Sequence, residues 1–281
     1  MPTVIPAHSR PLLRSFLNRF GMTITRSSNL DHVQELFERL WPRESNAELI
    51  RIGSAGDGGY LIPNALKGVE TCISPGVGST SSFERQLSQD FGIVSVLIDP
   101  NRAPVDLEET KHVYVQKYLG VKNHISFVSL DDLILEFCSN SDSSILQMDI
   151  EGYEYENLMN VRPDLLSRFR VLVIEFHNVH HWLSRPIFEL MVNPLFEKLL
   201  RDFFVVHVHP NNSSPPFYLK GSILPTTMEI TLLNRQSSAI GSRVSCLPNV
   251  LDVRNVPHKK DIIYQIEKTK SLFGLQKLFL K

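Results

Sequence analysis

Cysteine is scarce in this chain, and the shortage excludes two architectures at once. The three residues, Cys72, Cys138 and Cys246, are odd in number and far apart, so neither a disulfide framework nor a zinc site is expected, and they read as reduced thiols of a cytoplasmic protein. Long apolar runs are missing too. No stretch approaches the roughly 20 residues of a membrane-spanning helix, and the first residues lack the apolar centre of a secretory signal. Charge of one sign is also lacking: 29 Lys and Arg stand against 30 Asp and Glu, so no overall attraction to nucleic acid or an anionic surface is expected. The strong metal motifs, His-Glu-x-x-His and Cys-x-x-Cys, do not occur, and the glycine-rich segment around Gly53 to Gly59 has no Lys-Ser/Thr pair to make it a phosphate loop. A resident metal is therefore not expected, although a divalent ion that assists the chemistry stays open.

What is present begins at Thr71. Thr71 to Ser74 reads as a short apolar strand, Pro75-Gly76-Val77-Gly78 as a tight turn, and Ser81 to Phe91 as the helix into which it opens. A second apolar run, Ile93 to Ile98, ends in Asp99, about 20 residues beyond the turn, the spacing at which an acidic residue meets ribose hydroxyls. Glycine suits the turn because a Cβ would hold the backbone off a ligand. A dinucleotide fingerprint would have a third glycine where this chain has Ser81, so the turn favours a nucleoside without a pyrophosphate. A glycine turn with no ligand is the alternative.

Apolar runs then alternate with amphipathic segments. Strands are expected at 71–74, 93–98, 113–118, 144–149, 171–176, 203–208 and 228–233, and helices at 81–91, 131–138, 153–160 and 186–201. The pattern predicts an α/β fold, a doubly wound, mostly parallel seven-stranded sheet. The last strand is expected to be antiparallel, because the polar, proline-bearing segment Pro210 to Pro216 offers no crossover helix. Three regions follow: an N-terminal helical extension over 1–49, the sheet domain over 50–240, and a C-terminal tail packed on it over 241–281. The extension holds a helix capped by Asn29 or Asp31 and running to about Leu40. Ahead of it, a basic segment with Leu12, Leu13, Phe16, Leu17 and Phe20 at helical spacing reads as a helix packed on the domain, with a targeting or membrane-surface helix as the alternative. Arg51 to Pro63 reads as a loop leading into a short strand or hairpin at the edge of the site, and Ile262 to Leu280 as a final amphipathic segment.

Ligands in such sheets bind beyond the carboxyl ends of the strands. There the chain places Gly76 and Gly78, Asp99, Asp149 and Glu151, Glu175 and His177, and His207, His209 and Asn211. Asp149-Ile150-Glu151-Gly152 puts two carboxylates where an apolar strand enters a helix, suited to receiving a proton, binding a metal or holding a cationic ligand. The acids beside that helix also favour its N-terminus. His177 is the expected general base, oriented by Glu175 two residues earlier on the same strand face, with a structural histidine as the alternative.

The run Asp149-Ile150-Glu151-Gly152-Tyr153-Glu154 resembles the signature of the FkbM-type S-adenosylmethionine-dependent methyltransferases. Val128-Ser129-Leu130-Asp131-Asp132-Leu133 is similar to the step before that strand, Val173-Ile174-Glu175-Phe176-His177 to the next strand, and Gly76/Gly78 with Asp99-Pro100 to the cofactor half. Arg51-Ile52-Gly53 with Asp57-Gly58-Gly59-Tyr60 is similar to a methyltransferase-like subgroup, and the resemblance spans about residues 50–235. Where the family has a small or acidic residue before the turn and a lysine before the strand-end aspartate, this chain has Ser74-Pro75 and Gln147.

The resemblance implies a Rossmann-like fold with S-adenosylmethionine as cofactor, held by Gly76, Val77 and Gly78 under the methionine part and by Asp99 and Pro100 at the ribose. Tyr118 to Gly120 would flank the adenine, and Asp149 would lie near the methyl group and the acceptor. Asp149, Glu175 and His177 are then the expected catalytic residues, and Tyr60, His209 and Asn211 the substrate-binding ones. The implied reaction is O-methylation of a hydroxyl on a sugar or another small polar molecule, with a small-molecule or glycan acceptor and no nucleic acid. A nicotinamide-dependent oxidoreductase and a noncatalytic nucleoside-binding protein are the alternatives.

Overall fold

The computed structural model describes residues 26–78, 80–101, 111–138, 143–219 and 222–262. The basic segment before Arg26 and the amphipathic segment beyond Ile262 lie outside them. The first helix, α1 (Leu30–Arg39), starts where Asn29 accepts the Asp31 N–H at 3.1 Å and buries Val33, Leu36 and Phe37. Phe37 packs on Trp182 with ring centroids 5.3 Å apart, so this helix lies on the sheet domain. Next come a hairpin, β1 (Leu49–Gly53) and β2 (Gly59–Pro63), then β3 (Thr71–Pro75), α2 (Ser82–Phe91), β4 (Val94–Ile98) and β5 (His112–Val115). A small parallel pair, β6 (Tyr118–Gly120) and β7 (Phe127–Ser129), leads into α3 (Leu130–Phe137), β8 (Ser144–Met148), α4 (Glu154–Asn160) and β9 (Phe169–Phe176). The chain ends its regular structure with α5 (Asn193–Asp202), β10 (Phe203–Asn211), the short pair β11 (Phe217–Leu219) and β12 (Ser222–Leu224), and β13 (Thr227–Asn234).

Seven strands form one sheet in the order β10-β13-β9-β8-β3-β4-β5. All are parallel except β13, which runs antiparallel between β9 and β10. The seven expected strands and the antiparallel last one are therefore present. Strands buried on both faces read as continuous apolar runs. One face carries Ile73, Val96, Leu146, Leu172, Ile174 and Ile230 under the helices α1, α3, α4 and α5. The other carries Cys72, Ile145, Val171, Val173 and Val206 under α2 and the β1–β2 hairpin. The hairpin is tied to the sheet by Thr231 Oγ1, which donates to the Leu61 carbonyl at 2.8 Å. All three cysteines are free, and Cys72 and Cys138 are buried. Among the described residues no helix is long and apolar enough to cross a membrane.

Two expected elements are altered. The third strand stops at Val115 rather than 118, and Tyr118 belongs to the separate β6–β7 pair. The single helix expected over 186–201 is broken into a short turn at Arg185–Ile187, a π-helical turn at Phe188–Val192, and α5. Pro194 gives the physical reason: it has no N–H to donate to residue 190, and its ring crowds that carbonyl.

Strand β10 contains a register shift between Val205 and His207. Side chains alternate with period 2, so one extra residue moves everything after it to the opposite face. Val205 stays with Leu232 on the helix-covered face, whereas His207, His209 and Asn211 pair with Thr231, Glu229 and Thr227 on the hairpin side. Asp252 and Asn255 of the segment 241–262 reach the same side, whereas Leu247 packs against the core of the helix-covered face. The segment's attachment starts at Trp41 Nε1, which donates to the Val244 carbonyl at 2.8 Å, and at Gly241 N, which donates to the Glu44 carbonyl at 2.8 Å.

Candidate active site

The carboxyl ends of β3, β4 and β8 open onto one cavity of about 520 Å³, a size suited to a small-molecule ligand. It lies where the strand order reverses on either side of β3, the switch point at which such sheets bind ligands. Gly76, Val77 and Gly78, Asp99 and Pro100, Asp149 and Glu151, and Tyr60 with Asp57 all line it.

Gly76 has φ +87, and a Cβ built on it would lie 1.6 Å from the Asp149 carbonyl oxygen. Its missing side chain thus lets β3 leave the sheet directly against the end of β8, where Asp149 N donates to the Pro75 carbonyl at 3.2 Å. This corrects the sequence-based reason for that glycine: the close approach is to the chain itself. Gly78, at φ +66, faces open space, with nothing within 4 Å of a built Cβ. The Gly78 N–H donates to Asp99 Oδ2 at 3.4 Å and the Asn101 N–H to Asp99 Oδ1 at 2.8 Å. Each carboxylate oxygen keeps a lone pair for a further donor.

Ser74 and Gln147, two of the three residues at which the chain departs from the pattern it resembles, meet each other. Ser74 Oγ lies between the Glu84 carboxyl of α2 and Gln147 Oε1, 2.6 Å from the latter, and Gln147 Nε2 donates to Tyr60 Oη at 3.4 Å. This buried bridge ties β3, β8, α2 and the hairpin together at the cavity wall, which Tyr60, Glu84 and Gln147 line.

The end of β8 is acidic. His177, at the end of β9, sets Nδ1 3.0 Å from Glu154 Oε1, which also accepts the Ile150 and Gly152 N–H groups at 3.1 and 3.0 Å. His177 Nε2 points at Asp149 Oδ1, 3.7 Å away, and at Glu151 Oε2, 3.5 Å away. Glu151 and Asn178 flank this point with φ +57 and +56, a strained left-handed conformation that clusters at functional sites. Burial pushes the Asp149 carboxyl up to about 7, a rise that His177 opposes and that Glu151 and Glu154 reinforce. On His177 burial acts downward, but the Glu154 hydrogen bond and the charges of Asp149 and Glu151 outweigh it and raise the imidazole. Burial also raises Glu175, as do Asp149 and Glu229, against the Asn211 amide that donates to its Oε1 at 2.9 Å.

Of the expected site residues, Tyr60, Gly76, Val77, Gly78, Asp99, Pro100 and Asp149 are on the cavity wall. His177, Glu175, His209 and Asn211 are not part of its lining; His177 stands beside Asp149, and Glu175 beside His177. Glu175, Glu229 and His209 occupy one row across β9, β13 and β10, and Asn211 reaches Glu175 from the same side. His209 and Asn211 thus belong to a row of buried polar groups with Glu175 and Glu229.

Several residues here carried no readable signal. Asp252, from the C-terminal segment, lies 2.8 Å from His207 Nε2 and 3.3 Å from His209 Nδ1, the first an ion-pair contact poorly aligned for a hydrogen bond. Asn255 Nδ2 donates to Glu229 Oε1 at 2.6 Å and to Asp57 Oδ1, on the cavity wall, at 3.2 Å. These tail residues are far from the strands in sequence and fit no motif.

Residues 109–201, from just before β5 into α5, match the family model of the methyltransferase FkbM domain. Over that segment the chain is similar to the FkbM methyltransferase domain. The matched segment contains both the Asp149 to Glu154 run and His177. No curated protein matches the chain. Among solved structures, it is similar to a SAM-dependent methyltransferase from Archaeoglobus fulgidus, at 14% identity over 60% of this chain and 88% of that chain, with a TM-score of 0.35. It is similar also to human methyltransferase 10 domain containing protein, at 14% identity over 81% of this chain and 94% of that chain, with a TM-score of 0.35.

Proposed function

We propose that the protein moves the methyl group of S-adenosylmethionine to a hydroxyl oxygen of a sugar or another small polar molecule. One observation carries the reading: a single cavity joins the Gly76 to Gly78 turn, the Asp99 carboxylate and the acidic end of β8. Asp99 offers its free lone pairs to ribose hydroxyls, with Pro100 beside it, and the open backbone at Gly78 leaves room for the methionine part, with Val77 on the same wall. When bound, S-adenosylmethionine supplies a methyl carbon made electrophilic by its sulfonium charge. The carboxylates of Asp149 and Glu151 favour a cation at that end of the cavity.

The acceptor hydroxyl is held at the same end. Asp149 would accept its hydrogen bond and take its proton as the O–CH3 bond forms and the S–CH3 bond breaks, leaving S-adenosylhomocysteine; His177 and Glu175 stand near Asp149 to hold its orientation and charge, and Tyr60 and Asp57 supply further polar contacts from the cavity wall. His209 and Asn211 act through Glu229 and Glu175 as positioning residues. The rate gain comes largely from alignment of acceptor oxygen and methyl carbon.

Calorimetry of the purified protein with S-adenosylmethionine, S-adenosylhomocysteine and NAD tests the cofactor. Saturable binding of the first two without NAD is the expected result, and binding of NAD alone would end the reading. Transfer of radiolabelled methyl to a panel of glycans and hydroxylated metabolites tests the acceptor. Cofactor binding with no transfer to any of them would favour the noncatalytic alternative.

A further inference from the structure

We propose that Asp149, Glu151 and His177 form a binding site for one divalent cation, of the Mn²⁺ kind, at the acceptor end of the cavity. Each residue offers one donor atom, and the three atoms lie within 4.8 Å of one another. His177 Nε2 is 3.7 Å from Asp149 Oδ1 and 3.5 Å from Glu151 Oε2. Around a cation with bonds of about 2.1 to 2.2 Å, neighbouring donors sit about 3 to 3.6 Å apart, so the two histidine edges nearly match and the exposed Glu151 side chain can close the third.

Three features suit the triangle to an electrophile. The first is the histidine tautomer. Glu154 Oε1 lies 3.0 Å from Nδ1 and favours a ring proton there, so the neutral ring turns its Nε2 lone pair to the other two residues, and a cation would displace the second proton of the charged ring. This is the outer carboxylate-to-histidine contact that orients metal-bound imidazoles. The second is Asp149 Oδ1, a buried oxygen that no hydrogen-bond donor reaches. Buried polar atoms are seldom left so. The third is length: a proton on Nε2 would meet its acceptors at 3.5 and 3.7 Å, too far for a good hydrogen bond. An acceptor-only triangle that a proton spans poorly is spanned well by a metal ion.

The donor set selects the ion. Two carboxylates suit Mg²⁺ and Mn²⁺, and an imidazole shifts preference toward the borderline ions. Asp149 and Glu151 both line the cavity, so the remaining coordination positions face the acceptor. A hydroxyl bound there becomes more acidic and is held in place. The role of the ion rests on the methyl-transfer reading above, but its binding does not.

The test uses the full-length protein without cofactor. Mn²⁺ titration followed by electron paramagnetic resonance should show one ion bound per chain, displaced by Mg²⁺ or Zn²⁺. Asp149→Asn and His177→Gln should each weaken binding at least tenfold, and Glu154→Gln about 10- to 100-fold through loss of the outer carboxylate. Because a variant can fail to fold, the unmodified protein supplies a second readout: bound Mn²⁺ should selectively broaden the His177 imidazole resonances. Absence of saturable binding at millimolar Mn²⁺, or equal binding by wild type and the folded His177→Gln protein, would overturn the inference. Calorimetry with S-adenosylhomocysteine on the same sample reports the cofactor reading separately.

Discussion

Gly76 and Asp149 cross so closely that any side chain at position 76 would occupy the Asp149 carbonyl, with a built Cβ 1.6 Å from its oxygen. The turn that opens the cofactor side of the cavity and the strand end that carries the acidic side are therefore one mechanical unit. Gly76→Ala adds the strain of φ +87 to this clash, and backbone cannot move aside as a flexible side chain can. The expected loss is about 3 kcal/mol or more of folding stability, read from the denaturant midpoint. A midpoint close to wild type would mean that the two segments are not locked together.

Asp99 has the opposite character, with both oxygens engaged by backbone N–H groups and lone pairs to spare. Asp99→Ala should weaken S-adenosylhomocysteine binding by about 1.5 to 3 kcal/mol, roughly 10- to 150-fold, through loss of charge-assisted hydrogen bonds. Calorimetry measures this directly. Unchanged affinity would move the ribose elsewhere.

The Ser74 and Gln147 bridge makes a prediction about stability. Gln147→Leu removes the amide that donates to buried Tyr60 Oη, while Ser74 Oγ keeps the Glu84 carboxyl. The cost of such a stranded polar group is about 1 to 3 kcal/mol. Thermal unfolding of the variant should fall accordingly, and an increase would show that the bridge is dispensable.

Attachment of the C-terminal segment should depend on pH. His207 and His209 beside Asp252 hold its carboxyl below the usual range despite burial, so its contribution exists above the unfolded value near 3.9 and is lost as acid protonates it in the fold. For His209, burial acts downward, but Asp252, Glu229 and Asp261 raise it above its ordinary value, so its contribution is full below about pH 6.5 and is lost as pH rises through the raised value. Wild type should therefore exceed Asp252→Asn in stability most clearly between about pH 4 and 6.5. Denaturant midpoints of both proteins from pH 4 to 9 check this, and a difference that grows above pH 8 would contradict it.

The apolar runs and the residues that punctuate them determined the seven strands, the Gly76 to Gly78 turn, and Asp99 and Asp149 at their strand ends, because period and turn chemistry are local properties. The antiparallel last strand was legible for the same reason, since no crossover helix precedes it. Tertiary structure alone decided that β13 inserts between β9 and β10, and that one extra residue in β10 swings His207, His209 and Asn211 to the side of Glu175 and Glu229. It also decided that Asp252 and Asn255 of the tail meet that row, and that Glu154 orients His177. A register shift of one residue leaves no trace in composition or period, and contacts between distant segments depend on how the faces pack.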